Sequence, residues 1–331
     1  MSSSRQLPGT SKQKEKGVLK REDKTTVRSA VAGLVGFCAL LGVEESPAAG
    51  AGANTLGGRL EVLWDTNRVA SLDRVRLVLH EPKLREVALT HDRPWEGNVC
   101  CYHTVFQDGG RYRLYYRGAN WDKKATHPEV VCTAESDDGI VWRKPDLGLV
   151  AFGGSTSNNI VWEGLGSHNF APFLDASPAC PPDQKYKALG GDGRVGSGLL
   201  AFASADGLRW RVLRDAPVLT KGAFDSQNIA FWDAEKKTYV AYFRDFQKVG
   251  PQRSVRAIKT SSSADFLTWS EPEWLRYEEG TPDEELYTNA ILPYPRAPQI
   301  YVGFPKRFVP SRTTPWDRSE ERRVGKEGRS R

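Results

Sequence analysis

A seven-residue pattern, Ser-x-Asp-(Gly or Phe)-x-x-Trp, occurs three times, at Ser136–Trp142, Ser204–Trp210 and Ser263–Trp269. The tryptophans are 68 and 59 residues apart. Asp-Gly supplies a tight turn between strands, and the Trp anchors the strand that returns. A second marker keeps the same beat: His103, Asn169, Asn228 and Asn289 follow one another at intervals of 66, 59 and 61 residues. Two markers on one period near 60 residues define a repeat architecture, which constrains the fold more than any local signal.

Each repeat opens on a polar mouth that leads into a short apolar run. Gly97-Asn98 leads into 99–106, Ser167-His168-Asn169 into 170–174, Asp225-Ser226-Gln227-Asn228 into 229–232, and Glu285 to Asn289 into 290–294. Such runs, bounded by turn residues, read as buried strands. Aromatic second strands follow at 112–116, 186–189, 239–243 and 300–304. The units are therefore antiparallel meanders of about four strands, at about 98–142, 168–210 and 224–269, with a partial fourth from 285. Meanders of this kind packed radially make a β-propeller. Upstream, 60–64 and 75–79 are expected to be strands that can close the propeller.

The net charge of +6 sits at the ends. Residues 1–28 hold eight Lys and Arg against three acids, and 318–331 hold six against three, so the body is slightly acidic. Nucleic-acid binding by the body therefore gets no support. An apolar run, 30–43, follows the basic start and precedes the small-residue stretch 46–53, the order of a secretory signal. The run is too short for a comfortable membrane span. The expected division is a basic, signal-like segment at 1–53, the propeller at 54–317 and a non-native or disordered tail at 318–331, in a secreted or periplasmic protein without an integral membrane domain. Export leaves Cys100, Cys101, Cys132 and Cys180, which allow three full pairings or serve as core thiols. No metal-ligand spacing is present in the sequence, and neither metal nor cofactor is expected.

In a propeller the first strand of each blade lines the axis, so the mouths of the repeats converge on one funnel. Here they supply Glu96 and Asn98, His168 and Asn169, Asp225, Gln227 and Asn228, and Glu285, Tyr287 and Asn289. Amides and acids bind sugar hydroxyls, aromatic faces stack on pyranose rings, and two carboxyls can supply the acid and base of glycosidic cleavage.

The units resemble the five-bladed propeller glycosidases of families 32, 43, 62 and 68 and their relative family 130. Arg93-Pro94-Trp95-Glu96, 112–117, 136–142 with 144–148, and Tyr287-Thr288-Asn289-Ala290 resemble uncharacterised bacterial secreted proteins of the family-32-like type, over about residues 58–310. The resemblance implies a five-bladed, all-β propeller, here expected to break off after the start of the fourth blade. It also implies an Asp base on blade one, an Asp on blade three that orients the acid, and a Glu acid on blade four. Asp225 and Glu285 match the last two. The first mouth offers Asn98 in place of the Asp, so Glu96 or Asp92 is the substitute. Arg244-Asp245-Phe246 resembles the Arg-Asp-Pro of family 32, but is placed at the far end of a second strand, where Asp245 reads as an ion pair or turn.

The reading is a glycoside hydrolase acting on an oligo- or polysaccharide, with Glu285 as acid, Asp225 as its orienting partner, and Glu96 or Asp92 as base. Asn98, His168, Asn169, Gln227, Asn228, Tyr287 and Asn289 would bind substrate. The alternatives are a non-catalytic carbohydrate-binding propeller and a protein-interaction platform, which predicts no converging carboxylates.

Overall fold

The computed structural model describes Val62 and residues 69–78, 80–122, 127–191 and 197–309. The chain divides by contact into residues 1–54 and 55–331, and all described residues lie in the second unit. The signal-like run, the expected strand 60–64 apart from Val62, and the tail fall outside them. The fold is all-β. The helical turns among the described residues are two short 3-10 segments at Ser167–Asn169 and Pro182–Gln184, and no described helix is long and apolar enough to cross a membrane.

Three four-stranded antiparallel sheets follow one another along the chain, each a simple meander. The first holds β1 (Cys101–Asp108), β2 (Arg111–Gly118), β3 (Val130–Ser136) and β4 (Ile160–Glu163). The second holds β5 (Ala171–Leu174), β6 (Tyr186–Gly190), β7 (Leu200–Ser204) and β8 (Arg211–Val212). The third holds β9 (Ile229–Asp233), β10 (Thr238–Lys248), β11 (Ser254–Ser263) and β12 (Glu273–Trp274). A two-stranded sheet, β13 (Leu292–Tyr294) and β14 (Ala297–Val302), begins a fourth blade. The first strands pack in series, β1 on β5, β5 on β9 and β9 on β13, as blades around an axis require.

The repeated heptad has the same geometry in all three blades. In the second, Ser204 Oγ donates to Asp206 Oδ1 at 3.0 Å, and Asp206 Oδ1 accepts from Leu208 N and Arg209 N at 2.8 Å each. The indoles of Trp142, Trp210 and Trp269 donate to the carbonyls of Gly139, Gly207 and Phe266 at 3.2, 3.1 and 3.2 Å. The middle residue is left-handed each time, at φ 76°, 77° and 66°. Glycine meets this freely in two blades. In the third, Phe266 bears a strain of about 1–2 kcal/mol, offset by full burial of its ring against Phe173, Tyr239 and Trp269.

Two expectations need correction. Residues 75–78 form no strand, and Val75, Leu77 and Val78 are exposed: their alternation offers one apolar face, but no neighbouring strand pairs with it among the described residues. The fourth strand of the first blade lies beyond the 98–142 unit, at Ile160–Glu163, reached through the Gly- and Ser-rich connection. A run of four residues is too short to carry a clear period. Cys132 and Cys180 carry free thiols, the former inside the blade-one core.

Candidate functional site

The mouths of four blades meet at Asp225. His168, in the 3-10 turn before β5, places Nε2 3.1 Å from Asp225 Oδ1. Tyr102, at the start of β1, donates its hydroxyl to the same oxygen at 3.3 Å, and the Tyr287 hydroxyl from the fourth blade lies 3.5 Å from both Asp225 oxygens. Oδ1 thus gathers three donors, while Oδ2 has only the distant phenol. The side chain remains 47% exposed. The result is a carboxylate whose orientation is fixed through one oxygen and whose other oxygen is available to a ligand.

Tyr102 reaches this point through a bulge. The pairing of β1 with β2 slips between Cys101 and Thr104, and Tyr102 takes φ 57°. A non-glycine residue there is strained, and such strain collects at functional sites. Behind Tyr102, the guanidinium of Arg117 at the end of β2 lies 5.0 Å from its ring centre. Behind Tyr287, Arg244 does the same at 4.7 Å. Two nearly buried arginines therefore back the two phenols that face Asp225.

The electrostatics follow from these contacts. The hydrogen bond from His168 is the main cause that lowers the Asp225 pKa, outweighing partial burial, with help from the charge of Arg244. Burial alone would lower the His168 pKa, yet hydrogen bonds to Asp225 and Glu129 raise it against the opposing charge of Arg117. His168 Nδ1 is 2.9 Å from Glu129 Oε2 and 3.0 Å from Arg117 Nη1. Carboxylates at both ring nitrogens favour the protonated imidazole, and the Arg117 guanidinium beside Nδ1 opposes it. Arg117 lies against the ring, held by the His168 carbonyl at 3.3 Å and by Glu129 at 3.7 Å. Burial pushes the Tyr102 hydroxyl well above its ordinary range, so it stays a donor.

Of the residues expected at the funnel, Asp225, His168 and Tyr287 come together. The amides do not line it. Asn169 donates to Phe224 O at 2.6 Å and accepts from Gly191 N at 2.7 Å. Asn228 donates to Phe224 O and Ser226 O, and Asn289 to Gln227 O and Tyr242 O. Gln227 donates to His103 O at 2.8 Å. These buried amides satisfy backbone groups that leave the sheet ladder, and Asn169, Gln227 and Asn289 join one blade mouth to another in doing so. Asn98 is on the exposed rim, where it holds Trp121 N and Asp122.

The expected acid and base also need correction. Glu96 is fully buried. Gly97, at φ 67°, sits so close to Ala119 that a Cβ would meet the Ala119 carbonyl oxygen at 2.2 Å, and Ala119 N donates to Glu96 O, which turns the Glu96 side chain inward. Burial would raise its pKa, but donors from His91, Lys144, Tyr116 and the Arg93 amide bring it down to about 2. The Tyr116 hydroxyl is 2.5 Å from Oε1, and Lys144 Nζ is 2.7 and 2.8 Å from the two oxygens. A carboxylate so enclosed is a structural anchor. Asp92 is exposed on the same loop, with Lys144 at 3.1 Å and Arg93 at 3.6 Å as its partners. Glu285 is held by Arg256, whose Nη1 and amide N lie 2.8 and 3.0 Å from Oε2. Burial would raise its pKa, but those contacts lower it, the reverse of what a general acid needs.

The residues missed were Tyr102, Arg117, Glu129 and Arg244. In an antiparallel meander the end of the second strand and the start of the third return to the mouth where the first strand began. Arg117 pairs with Cys101, and β10 overruns the start of β9 at Tyr242 to carry Arg244 to the rim. Asp245 pairs with Lys259 at 2.7 Å, as its sequence context suggested. A cavity of about 310 Å³ between blade three and the fourth blade is lined mainly by apolar residues such as Ile258, Leu275 and Ile291, and does not include Asp225. Among the described residues no cluster of three or more His, Cys, Asp or Glu is arranged to hold a metal.

No protein-family model matches the chain, and no curated protein matches it significantly. Solved structures do. The chain is similar in fold to glycoside hydrolases. One, described as a glycoside hydrolase, aligns over 68% of this chain and 70% of its own at 17% identity and a TM-score of 0.42. An N-acetylgalactosamine deacetylase from F. plautii, in complex with blood group B trisaccharide, aligns over 69% and 66% at 15% identity and 0.45. A fructofuranosidase from Schwanniomyces occidentalis aligns over 64% and 43% at 13% identity and 0.41. The chain spans less than two thirds of the length of the last two.

Proposed function

We propose that the chain is a carbohydrate-active protein that binds a glycan in the funnel at Asp225 and hydrolyses a glycosidic bond there. The observation that carries this reading is the Asp225 carboxylate, ionised and fixed by His168, Tyr102 and Tyr287, with one oxygen turned to a half-exposed site. Such an oxygen can accept a sugar hydroxyl or face the positive charge that develops at an anomeric carbon. The phenols and the imidazole supply fixed polar groups, and the aromatic faces suit a sugar ring.

A second reading, a non-catalytic carbohydrate-binding propeller, is favoured by one specific observation. The carboxyl expected as acid, Glu285, is tied to Arg256, and Glu96 is sealed inside blade one. The test is to screen the full chain against a glycan panel for both affinity and release of reducing ends, with Asp225→Asn alongside. Hydrolysis that falls about a thousandfold in Asp225→Asn while affinity persists supports the first reading. Binding without turnover in the parent supports the second. No binding to any glycan overturns both.

A further inference from the structure

We propose that Trp121 is an outer sugar-stacking platform, so that the ligand of this funnel is an oligosaccharide of pyranose units rather than a single sugar. The inference rests on the carbohydrate reading above and specifies its substrate.

Trp121 follows β2 on the rim and is 54% exposed. The Arg117 guanidinium lies 5.1 Å from its ring centre and 5.0 Å from that of Tyr102. Arg117 itself is 3% exposed, so a buried cation supports the indole from within. The backbone is fixed too. Trp121 N donates to Asn98 Oδ1 at 3.0 Å, Asn98 Nδ2 donates to Asp122 Oδ1 at 3.0 Å, and Asp122 N donates to Asn120 Oδ1 at 3.0 Å. The Trp121 side chain is also among the donors that lower the Glu129 pKa against burial, after the contacts with His168 and Arg117.

A large aromatic ring held this firmly while half of it faces water gains nothing for the fold from its exposed part. Pre-ordering of this kind lowers the entropy that a ligand must lose on binding. The negative face of an indole attracts the weakly positive C–H groups that a pyranose chair presents as a flat patch. A puckered furanose presents fewer. Trp121 and Asp225 are linked through Arg117 and Tyr102, whose hydroxyl donates to Asp225. A ligand that touches both offers one ring to the indole and a further hydroxyl-bearing unit to the carboxylate.

The test measures calorimetric affinities of the full chain for cello-, xylo-, manno- and galacto-oligosaccharides of one to six units and for inulin-type fructo-oligosaccharides. One pyranose series should gain at least about tenfold in affinity as it lengthens past the first unit. That gain should vanish in Trp121→Ala and largely survive in Trp121→Phe. A length dependence that Trp121→Ala leaves intact, or tightest binding to fructo-oligosaccharides, would overturn the platform while leaving the carbohydrate reading in place. No binding to any ligand would overturn both.

Discussion

The His168 imidazole is hydrogen-bonded to Asp225 across the gap between the second and third blades, at 3.1 Å from Nε2 to Oδ1. One contact thereby raises the pKa of one partner and lowers that of the other.

The pair should make stability depend on pH in both directions. Asp225, lowered from 3.8, contributes stability that is present above that value and lost as pH falls through its folded pKa. His168, raised from 6.5, contributes stability that is present below that value and lost as pH rises through its folded pKa. The contribution is therefore largest between the two reference values. Thermal unfolding of the parent and of His168→Asn across pH 3 to 9 should differ most in that window. A difference independent of pH would show that the two side chains are not coupled. In Glu129→Gln, the His168 titration followed by NMR should move to lower pH, since one of its two carboxylates is gone.

Glu96 should matter for folding more than for ligand binding. Its carboxyl, brought from 4.5 to about 2, contributes about 3 kcal/mol of stability above pH 4.5, lost as pH falls toward 2. Glu96→Gln should be destabilised by about that amount at neutral pH and much less near pH 2, because Lys144 then keeps only the exposed Asp92 and the Thr90 carbonyl as partners. Denaturant unfolding at several pH values measures this. A stable variant with altered glycan affinity would place Glu96 in the site instead.

The turn carboxylates should stabilise each blade separately. Asp206 accepts two backbone amides and a contact from Ser204, and its pKa is lowered to about 2 even though burial acts the other way. Asp206→Ala should cost about 2 kcal/mol, read as a lower denaturant midpoint. Asp138→Ala and Asp265→Ala, in the same turn of the first and third blades, should lower the midpoint in the same direction. Unequal losses would mean that the blades tolerate the turn differently.

Glu285→Gln should leave glycan affinity within about twofold of the parent and lower stability by about 1 kcal/mol, because its pair with Arg256 is partly exposed. Loss of hydrolysis in this variant, with binding kept, would mean that ligand binding breaks the pair with Arg256 and restores an acid role.

The first strands, second strands and turns were legible because each carries a local signal. Ile229–Asp233 is apolar and bounded by turns, and the Trp142, Trp210 and Trp269 heptads mark the outer corners. The site was legible in part, since Asp225, His168 and Tyr287 all stand at repeat mouths. The amides stand there too, but their polarity serves backbone groups. Asn169, Asn228 and Asn289 look the same in sequence whether they face a ligand or a carbonyl.

The sequence alone determined the period of the markers and the β character of each unit, because strand period and turn chemistry are set by neighbours in the chain. Only the tertiary structure decided which polar groups stay available. Arg117, Glu129 and Arg244 reach the funnel because antiparallel pairing returns distant residues to one rim. Glu96 is withdrawn because Gly97 packs against Ala119, and Glu285 is neutralised by Arg256 on β11. Whether a carboxylate is an anchor or a site depends on which donors the fold brings within about 3 Å of it, and those donors come from elsewhere in the chain.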